Sequence, residues 1–183
     1  MIKLNNSLLI IGMKHCGKST VGKMLADKFD VRFEDLDSVA ETIYAQQNNQ
    51  RLSSREIYKQ GRNVFQHYEH KASEKIVMLT RNGAKIITAA GGGICENDPA
   101  INILESSMVF VYIEEKPDVL YKRIIKGGIP PFLSSENPYD TFVSLYQTRT
   151  AIYDKISKIK ISANGLPAED ICHNIIARLE EDN

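Results

Sequence analysis

A glycine-rich segment near the start of the chain, followed by lysine and serine, has the residue types that bind phosphate. It reads Gly12-Met13-Lys14-His15-Cys16-Gly17-Lys18-Ser19-Thr20 and fits the pattern G-x-x-x-x-G-K-[ST] between a strand and a helix. Its glycines let backbone N–H groups converge on phosphate oxygens, and the helix N-terminus adds partial positive charge. We therefore expect this segment to bind ATP. The alternative is a glycine-rich turn in which the Lys-Ser pair occurs by chance.

Four side chains could carry out phosphoryl transfer around this loop. Lys18 would contact the β and γ phosphates as a catalytic residue, and the Ser19 hydroxyl would bind Mg²⁺. Asp35 and Asp37 follow a short apolar run, Val31–Phe33, at the strand end where open α/β sheets place ligands. One carboxylate could hold a magnesium-bound water while the other orients the attacking hydroxyl. The alternative is that one of the two caps the helix that follows.

Three consecutive glycines and one arginine are further candidates. Gly91-Gly92-Gly93 follows the apolar run Lys85–Ala89 and exposes bare backbone N–H groups, although a plain strand-to-loop transition also uses glycine. Arg149 shares a predicted helix face with apolar residues, where a charge needs a partner. A side chain that extends from this face to solvent is the alternative for Arg149.

The elements that position these residues alternate between strands and helices. Apolar runs predict strands at Leu8–Ile11, Val31–Phe33, Lys85–Ala89, Met108–Ile113 and Ile156–Ile161, with helical periodicity between them. This alternation predicts a parallel α/β sheet. We expect one domain over residues 1–183, because no repeat or long linker divides the chain.

Two segments interrupt the alternation. Ser53 and Glu56 form a capping-box pattern that predicts a long helix from Ser53 to about Arg81, within a helical arm over about residues 36–81. Residues 126–138 contain two glycines and three prolines, which neither continue a helix nor fill a central strand. This composition is typical of a mobile lid.

Composition and charge exclude several functions. The 23 basic and 23 acidic residues leave a net charge of zero, which gives no overall attraction to nucleic acid or an anionic membrane. Cys16, Cys95 and Cys172 lack the short spacing of a zinc or redox site, so we expect reduced thiols. We therefore expect no nucleic-acid or membrane partners. The apolar run Leu8–Ile11 is too short for a signal-peptide core or a membrane span, so we expect a cytoplasmic protein, and we also expect a monomer.

The phosphate loop by itself is compatible with several classes of nucleotide-binding protein. The chain has no Asn-Lys-x-Asp guanine motif, and 183 residues leave no room for the second domain that motor ATPases need. Small-molecule kinases remain.

The residues together resemble shikimate kinases over nearly the whole chain. The matching segments, in order, are Gly12–Thr20, Phe33–Asp37, Phe65–Glu69, Gly91–Gly93, Arg123, and Arg149 with Tyr153. The resemblance implies a nucleoside-monophosphate-kinase-like P-loop fold with a five-stranded parallel sheet. It also implies ATP-dependent phosphorylation of shikimate at its 3-hydroxyl, a step toward the aromatic amino acids.

The resemblance also assigns roles to individual residues. Asp35 would belong to the magnesium shell, Asp37 would bind the substrate hydroxyls and act as base, and Gly91–Gly93 would line the substrate pocket. Arg123 is similar to the arginine that stacks on adenine, with a solvated surface charge as the alternative. Arg149 is similar to an arginine that binds the shikimate carboxylate.

Two positions depart from the family pattern. Gln66 stands where the family has a second carboxylate-binding arginine, and the nearby cations that could replace it are Arg62, His67 and Lys71. A hydrogen bond to a charged group contributes about 1.5–3 kcal/mol, so this loss would weaken a carboxylate substrate. In the lid, the family's Arg-Pro pair falls on Pro130-Pro131, which leaves Lys14 or Lys126 as substitutes.

These departures leave the acceptor open. Shikimate is the acceptor that the resemblance implies, and a related kinase for another small polyol or hydroxy acid is the first alternative. Gln66 and Pro130 also keep open a nucleotide-binding module with weak transfer activity.

Overall fold

The centre of the molecule is a sheet of five parallel strands in the order β2-β3-β1-β4-β5. The computed structural model describes residues 4–126, 133 and 136–181. The strands are β1 Ser7–Ile11, β2 Arg32–Asp35, β3 Ile86–Ala89, β4 Met108–Glu114 and β5 Ile159–Ser162. The α/β class predicted from the alternation of elements is confirmed, and so is the five-stranded parallel sheet that the resemblance implied.

Eight α-helices connect or follow these strands in the ranges that the structure describes. They are α1 Lys18–Phe29, α2 Leu36–Asn48, α3 Ser54–Gln60, α4 Arg62–Arg81, α5 Asp98–Glu105, α6 Pro117–Ile125, α7 Pro138–Ile156 and α8 Ala168–Glu181. A short 3₁₀ helix, Ile94–Glu96, lies between β3 and α5. None of the described helices is both long enough and apolar enough to cross a lipid bilayer.

The core is centred on β1, which lies between β3 and β4. All five of its residues are buried, as expected of a parallel strand that is covered on both faces. Ala89 of β3 pairs with Ile10 on one side and with Asp35 of β2 on the other. This register brings the ends of three strands to the same level.

Three strands begin later than predicted, and for β3 the difference is the single residue Lys85. The run Val31–Phe33 is shifted, because the Val31 N–H still closes the end of α1 by donating to Ala26 O at 3.0 Å. Asp35 is therefore the last residue of β2. The run Ile156–Ile161 was wrong at its start, because Ile156 ends α7 and packs on the core from that helix. Short apolar runs do not by themselves distinguish a strand from a buried helix segment.

The helical arm has two helices where one was predicted after Ser53. The capping box is confirmed, because the Ser53 side chain accepts from the Glu56 N–H and the Glu56 carboxylate accepts from the Ser53 N–H. Gly61 then breaks the helix with φ +151°, a backbone conformation that L-residues rarely adopt but achiral glycine can. The apolar periodicity of the sequence continues across Gly61, so the periodicity did not predict the helix break there.

The predicted lid, residues 126–138, falls mostly on residues outside the described ranges, including Pro130 and Pro131. Of its described residues, Lys126 caps the end of α6, Pro138 begins α7, and Leu133 is fully buried against the core. That Lys14 or Lys126 substitutes for the family arginine missing at Pro130 stays a prediction.

Candidate active site

The loops that follow three neighbouring strands meet at one edge of the sheet. β2, β3 and β1 are adjacent, and their carboxyl ends lead into Asp35, the glycine run 91–93 and the phosphate loop 12–17. Parallel sheets bind their ligands at this edge. The structure thus brings together candidate residues that are far apart in the sequence.

The phosphate loop is folded tightly over the end of β4. Gly12 has φ +142°, and a Cβ atom there would lie 2.5 Å from Ile113 O, which a side chain cannot do without moving backbone. Gly17 has φ +101° and precedes α1. Within the loop, Cys16 is buried and Lys14 is exposed. The backbone needs glycine at both positions because of these conformations.

Lys18 lies inside this loop. Its side chain is buried, and Nζ donates to Gly12 O and to Met13 O at 2.9 Å each. Lys18 is also the first residue of α1, and its N-cap, Gly17, has no side chain that could accept from the first N–H groups of the helix. The first N–H groups of the helix, those of Lys18, Ser19 and Thr20, are available to an anion because of this. The loop has the charge and the donors that a triphosphate requires.

Asp35 has two partners at once. Its Oδ2 accepts from Ser19 Oγ at 3.0 Å, and its Oδ1 accepts from the Ser38 N–H at 3.3 Å as the N-cap of α2. The capping interpretation therefore holds for Asp35, but it leaves the second oxygen beside the phosphate loop. Two hard oxygen donors, of the kind that Mg²⁺ prefers, lie together here.

Asp37 is the second residue of α2 and faces the glycine run. Its Oδ1 is enclosed by protein and has no hydrogen-bond partner among the described residues. Burial and the neighbouring Asp35 raise the pKa of Asp37 to about 6, while Lys18 acts in the opposite direction. A buried carboxylate oxygen without a partner is costly unless a ligand completes it. Asp37 is the side chain in this site best suited to accept a proton.

The glycine run packs against functional groups on both sides. A Cβ at Gly91 would lie 2.6 Å from Asp37 Oδ1, and a Cβ at Gly92 would lie 2.8 Å from the Lys14 backbone nitrogen. Gly93 lies at the other end, where a Cβ would be 3.5 Å from Arg149 Nη2. The glycine run therefore lies between Asp37, at its Gly91 end, and Arg149, at its Gly93 end.

Arg149 has a partner that the sequence did not suggest. Its Nε and Nη2 donate to the two carboxylate oxygens of Glu96 at 2.9 and 3.2 Å, and Nη1 donates to Gly92 O at 2.8 Å. Tyr153 also donates to Gly92 O, at 2.9 Å. Arg149 is thus held by protein groups and does not extend to solvent. An acidic residue three positions after the glycine run was the signal that could have indicated Glu96.

Gln66 lies beside the same cluster. Its Nε2 donates to the backbone carbonyl of Glu96 at 2.8 Å. One helical turn further, Glu69 is buried, and its Oε2 accepts from Asn97 at 2.7 Å while Oε1 lacks a partner among the described residues. Burial raises the pKa of Glu69 to about 7, against the effect of the Asn97 hydrogen bond. The Oε1 atom of Glu69 could therefore accept a hydrogen bond from a cationic group, and Gln66, which is neutral, does not provide one.

Arg123 connects α6 to the phosphate loop. Its Nη1 donates to His15 O at 3.0 Å, and its Nη2 lies 3.5 Å from the buried Glu115 carboxylate. The Arg123 side chain is 41% exposed. This position next to the loop is compatible with contact to a nucleotide base.

Comparison with known proteins points to one family. The shikimate kinase family model matches residues 14–180. The shikimate kinase of Dehalococcoides mccartyi is 26% identical over 181 residues, which are 98% of this chain and 97% of that protein. The shikimate kinase of Staphylococcus aureus (strain Newman) is 29% identical over 170 residues, 92% of this chain and 91% of that protein.

Solved structures show the same fold. A shikimate kinase from Acinetobacter baumannii, determined in complex with shikimate, has a TM-score of 0.83 and 21% identity, covering 97% of this chain and 94% of that chain. A gluconokinase from Sinorhizobium meliloti has a TM-score of 0.58 and 15% identity, covering 98% and 94%. At these identities the likeness establishes the fold alone.

Proposed function

Because this chain belongs to the shikimate kinase family, we propose that it transfers the terminal phosphate of ATP to the 3-hydroxyl of shikimate. Family membership makes it a small-molecule kinase with ATP as co-substrate. The observation that carries the proposal is Asp37, whose Oδ1 has no hydrogen-bond partner among the described residues and lies against Gly91 and within electrostatic reach of Lys18. We further propose a cytoplasmic monomer without nucleic-acid or membrane partners, since zero net charge gives no overall attraction to either of these partners.

In the transfer step, the acceptor oxygen forms a bond to the γ-phosphorus while the bond to the bridging oxygen of ADP breaks. The hydroxyl proton passes to Asp37 Oδ1. A pKa of about 6 keeps this carboxylate deprotonated at neutral pH and still basic enough to take the proton. Lys18 stabilises the negative charge on the phosphates as the bond breaks. The products are shikimate 3-phosphate and ADP.

Mg²⁺ is part of the proposal, with Ser19 and Asp35 as the residues that hold it. Their side-chain oxygens lie 3.0 Å apart, and Mg²⁺ typically takes one or two protein oxygens together with phosphates and water. The described residues contain no group of three or more acidic, histidine or cysteine side chains for a metal, which is compatible with such a site. When bound, the ion would neutralise charge on the β and γ phosphates.

The acceptor carboxylate is assigned to Arg149. This guanidinium lies at the Gly93 end of the glycine run, whereas Asp37 lies at the Gly91 end. A molecule with a hydroxyl at one end and a carboxylate at the other would span the run. One observation favours a second candidate, an acceptor polyol without a carboxylate, because Glu96 already pairs with Arg149 and Gln66 carries no charge.

We expect Arg149→Ala to raise the KM for shikimate at least about tenfold, because it removes a charge-assisted contact. Gln66→Arg should lower this KM, since the buried Glu69 offers a partner for the new guanidinium. Steady-state kinetics with shikimate and ATP measure both effects. Arg178→Ala, an exposed arginine on α8, is the matched control and should behave like the wild type.

Two results would count against shikimate as acceptor. The first is a lack of shikimate turnover in the wild type and in Gln66→Arg. The second is turnover of a polyol that Gln66→Arg impairs, because an unpaired charge in the pocket of a neutral substrate costs binding free energy.

A further inference from the structure

One carboxylate, that of Glu96, contacts two arginines. Arg149 holds it bidentately, with distances of 2.9 Å from Nε to Oε1 and 3.2 Å from Nη2 to Oε2. Arg62, at the start of α4, approaches the same Oε2 with its Nη2 at 2.9 Å. Two guanidiniums that converge on one carboxylate form the arrangement that proteins use to bind carboxylate ligands.

The backbone of Glu96 is held by hydrogen bonds, but its side chain can rotate away from the two arginines. The Glu96 N–H donates to Gly93 O at 3.0 Å, and its carbonyl accepts from Gln66 Nε2 at 2.8 Å. The side chain itself is 20% exposed, so part of it already reaches solvent. Rotation about its own bonds would free both arginines without moving the 3₁₀ helix.

Arg62 is also positioned to replace the carboxylate-binding arginine that the family has at the position of Gln66. The two residues are four apart on α4, which puts their side chains on the same helix face. The other nearby cations point elsewhere: Lys71 Nζ donates to Gln47 at 2.8 Å and lies over the Tyr68 ring, and His67 is exposed. Among the described cations near Gln66, Arg62 is the one that shares a partner with Arg149.

We propose that Glu96 is an internal carboxylate occupying a two-arginine subsite formed by Arg149 and Arg62, and that an acceptor carboxylate binds by displacing it. This inference rests on the proposed function. Glu96 then determines acceptor affinity, because the apparent dissociation constant rises as the fraction of molecules with a free subsite falls. Arg62 is the second binding cation, one turn before the position where the family has arginine.

The test is calorimetric binding of shikimate and of its methyl ester, which lacks the negative charge, to the wild type, Glu96→Gln and Arg62→Ala. Glu96→Gln should tighten shikimate at least about fivefold and leave the ester unchanged, because only the charged ligand competes with Glu96. Arg62→Ala should weaken shikimate about tenfold or more, since a charge-assisted contact is lost. Glu105→Gln on α5 and Lys75→Ala on α4 change charge at exposed positions and should match the wild type.

A structural role for Glu96, in which it only holds Arg149 in place, gives the opposite sign. Shikimate binding that Glu96→Gln weakens or leaves unchanged overturns the inference and leaves the proposed function standing. Tightening of the ester to the same degree also overturns it, because the effect would not depend on the carboxylate. Absence of shikimate binding by all three proteins overturns both the inference and the proposed acceptor.

Discussion

Replacement of Lys18 by alanine is expected to lower kcat at least about a hundredfold, the loss typical of removing one group that stabilises transition-state charge. The structure gives the physical reason, because the Lys18 ammonium is buried within the loop where the β and γ phosphates would lie. The measurement is ADP release in a coupled assay at saturating ATP and acceptor.

Lys18 also bonds two loop carbonyls, so the fold of the variant must be checked. Thermal unfolding should show a folded protein with a cooperative transition. Lys28→Ala, an exposed lysine in the last turn of α1, is the control and should keep wild-type turnover. If Lys18→Ala keeps more than about a tenth of the wild-type kcat, the segment is only a glycine-rich turn, and Lys18 has no role in phosphoryl transfer.

Asp37→Asn is expected to lower kcat by about 10²–10⁴, the usual contribution of a positioned general base, with little change in ATP affinity. The wild type should lose kcat/KM for the acceptor as the pH falls through about 6, because the raised pKa of Asp37 means that its carboxylate becomes protonated there. The variant should lack this acid limb. Asp35→Asn should instead raise the Mg²⁺ concentration needed for half-maximal activity.

Gly91→Ala tests the position of Asp37 without removing it. The added Cβ would lie 2.6 Å from Asp37 Oδ1, the end of a flexible side chain, so the side chain should move while the fold stays intact. A displacement of about 1 Å can cost about a hundredfold in rate.

If Asp37→Asn and Asp35→Asn both have wild-type kinetics and Mg²⁺ dependence, helix capping is the better account of the two aspartates.

The phosphate loop could be predicted from the sequence because its information is local. Gly12 and Gly17 adopt positive φ values that favour glycine, and Lys18 follows at the start of a helix, so consecutive residues specify the structure. The strand ends near Asp35 and Gly91 were predicted in the same way. That these ends meet depends on the order β2-β3-β1, which periodicity does not give.

The acceptor end of the site could not be predicted, because its contacts are long-range. Glu96 meets Arg149 from 53 positions away through a 3₁₀ turn that has no strong sequence signal. The burial of Asp37 Oδ1, which has no partner in the part of the chain that the structure describes, likewise depends on how closely Gly91 packs against α2. Sequence patterns indicated which residues had suitable chemistry, whereas tertiary packing determined their partners.

Shikimate phosphorylation itself is tested most directly by incubating the wild-type protein with ATP, Mg²⁺ and shikimate and analysing the products by ³¹P NMR and mass spectrometry. We predict equal amounts of ADP and of a shikimate monophosphate with the phosphorus coupled to the hydrogen on carbon 3. Formation of no phosphorylated shikimate, by a preparation that phosphorylates another hydroxy acid or polyol, would contradict the proposed acceptor.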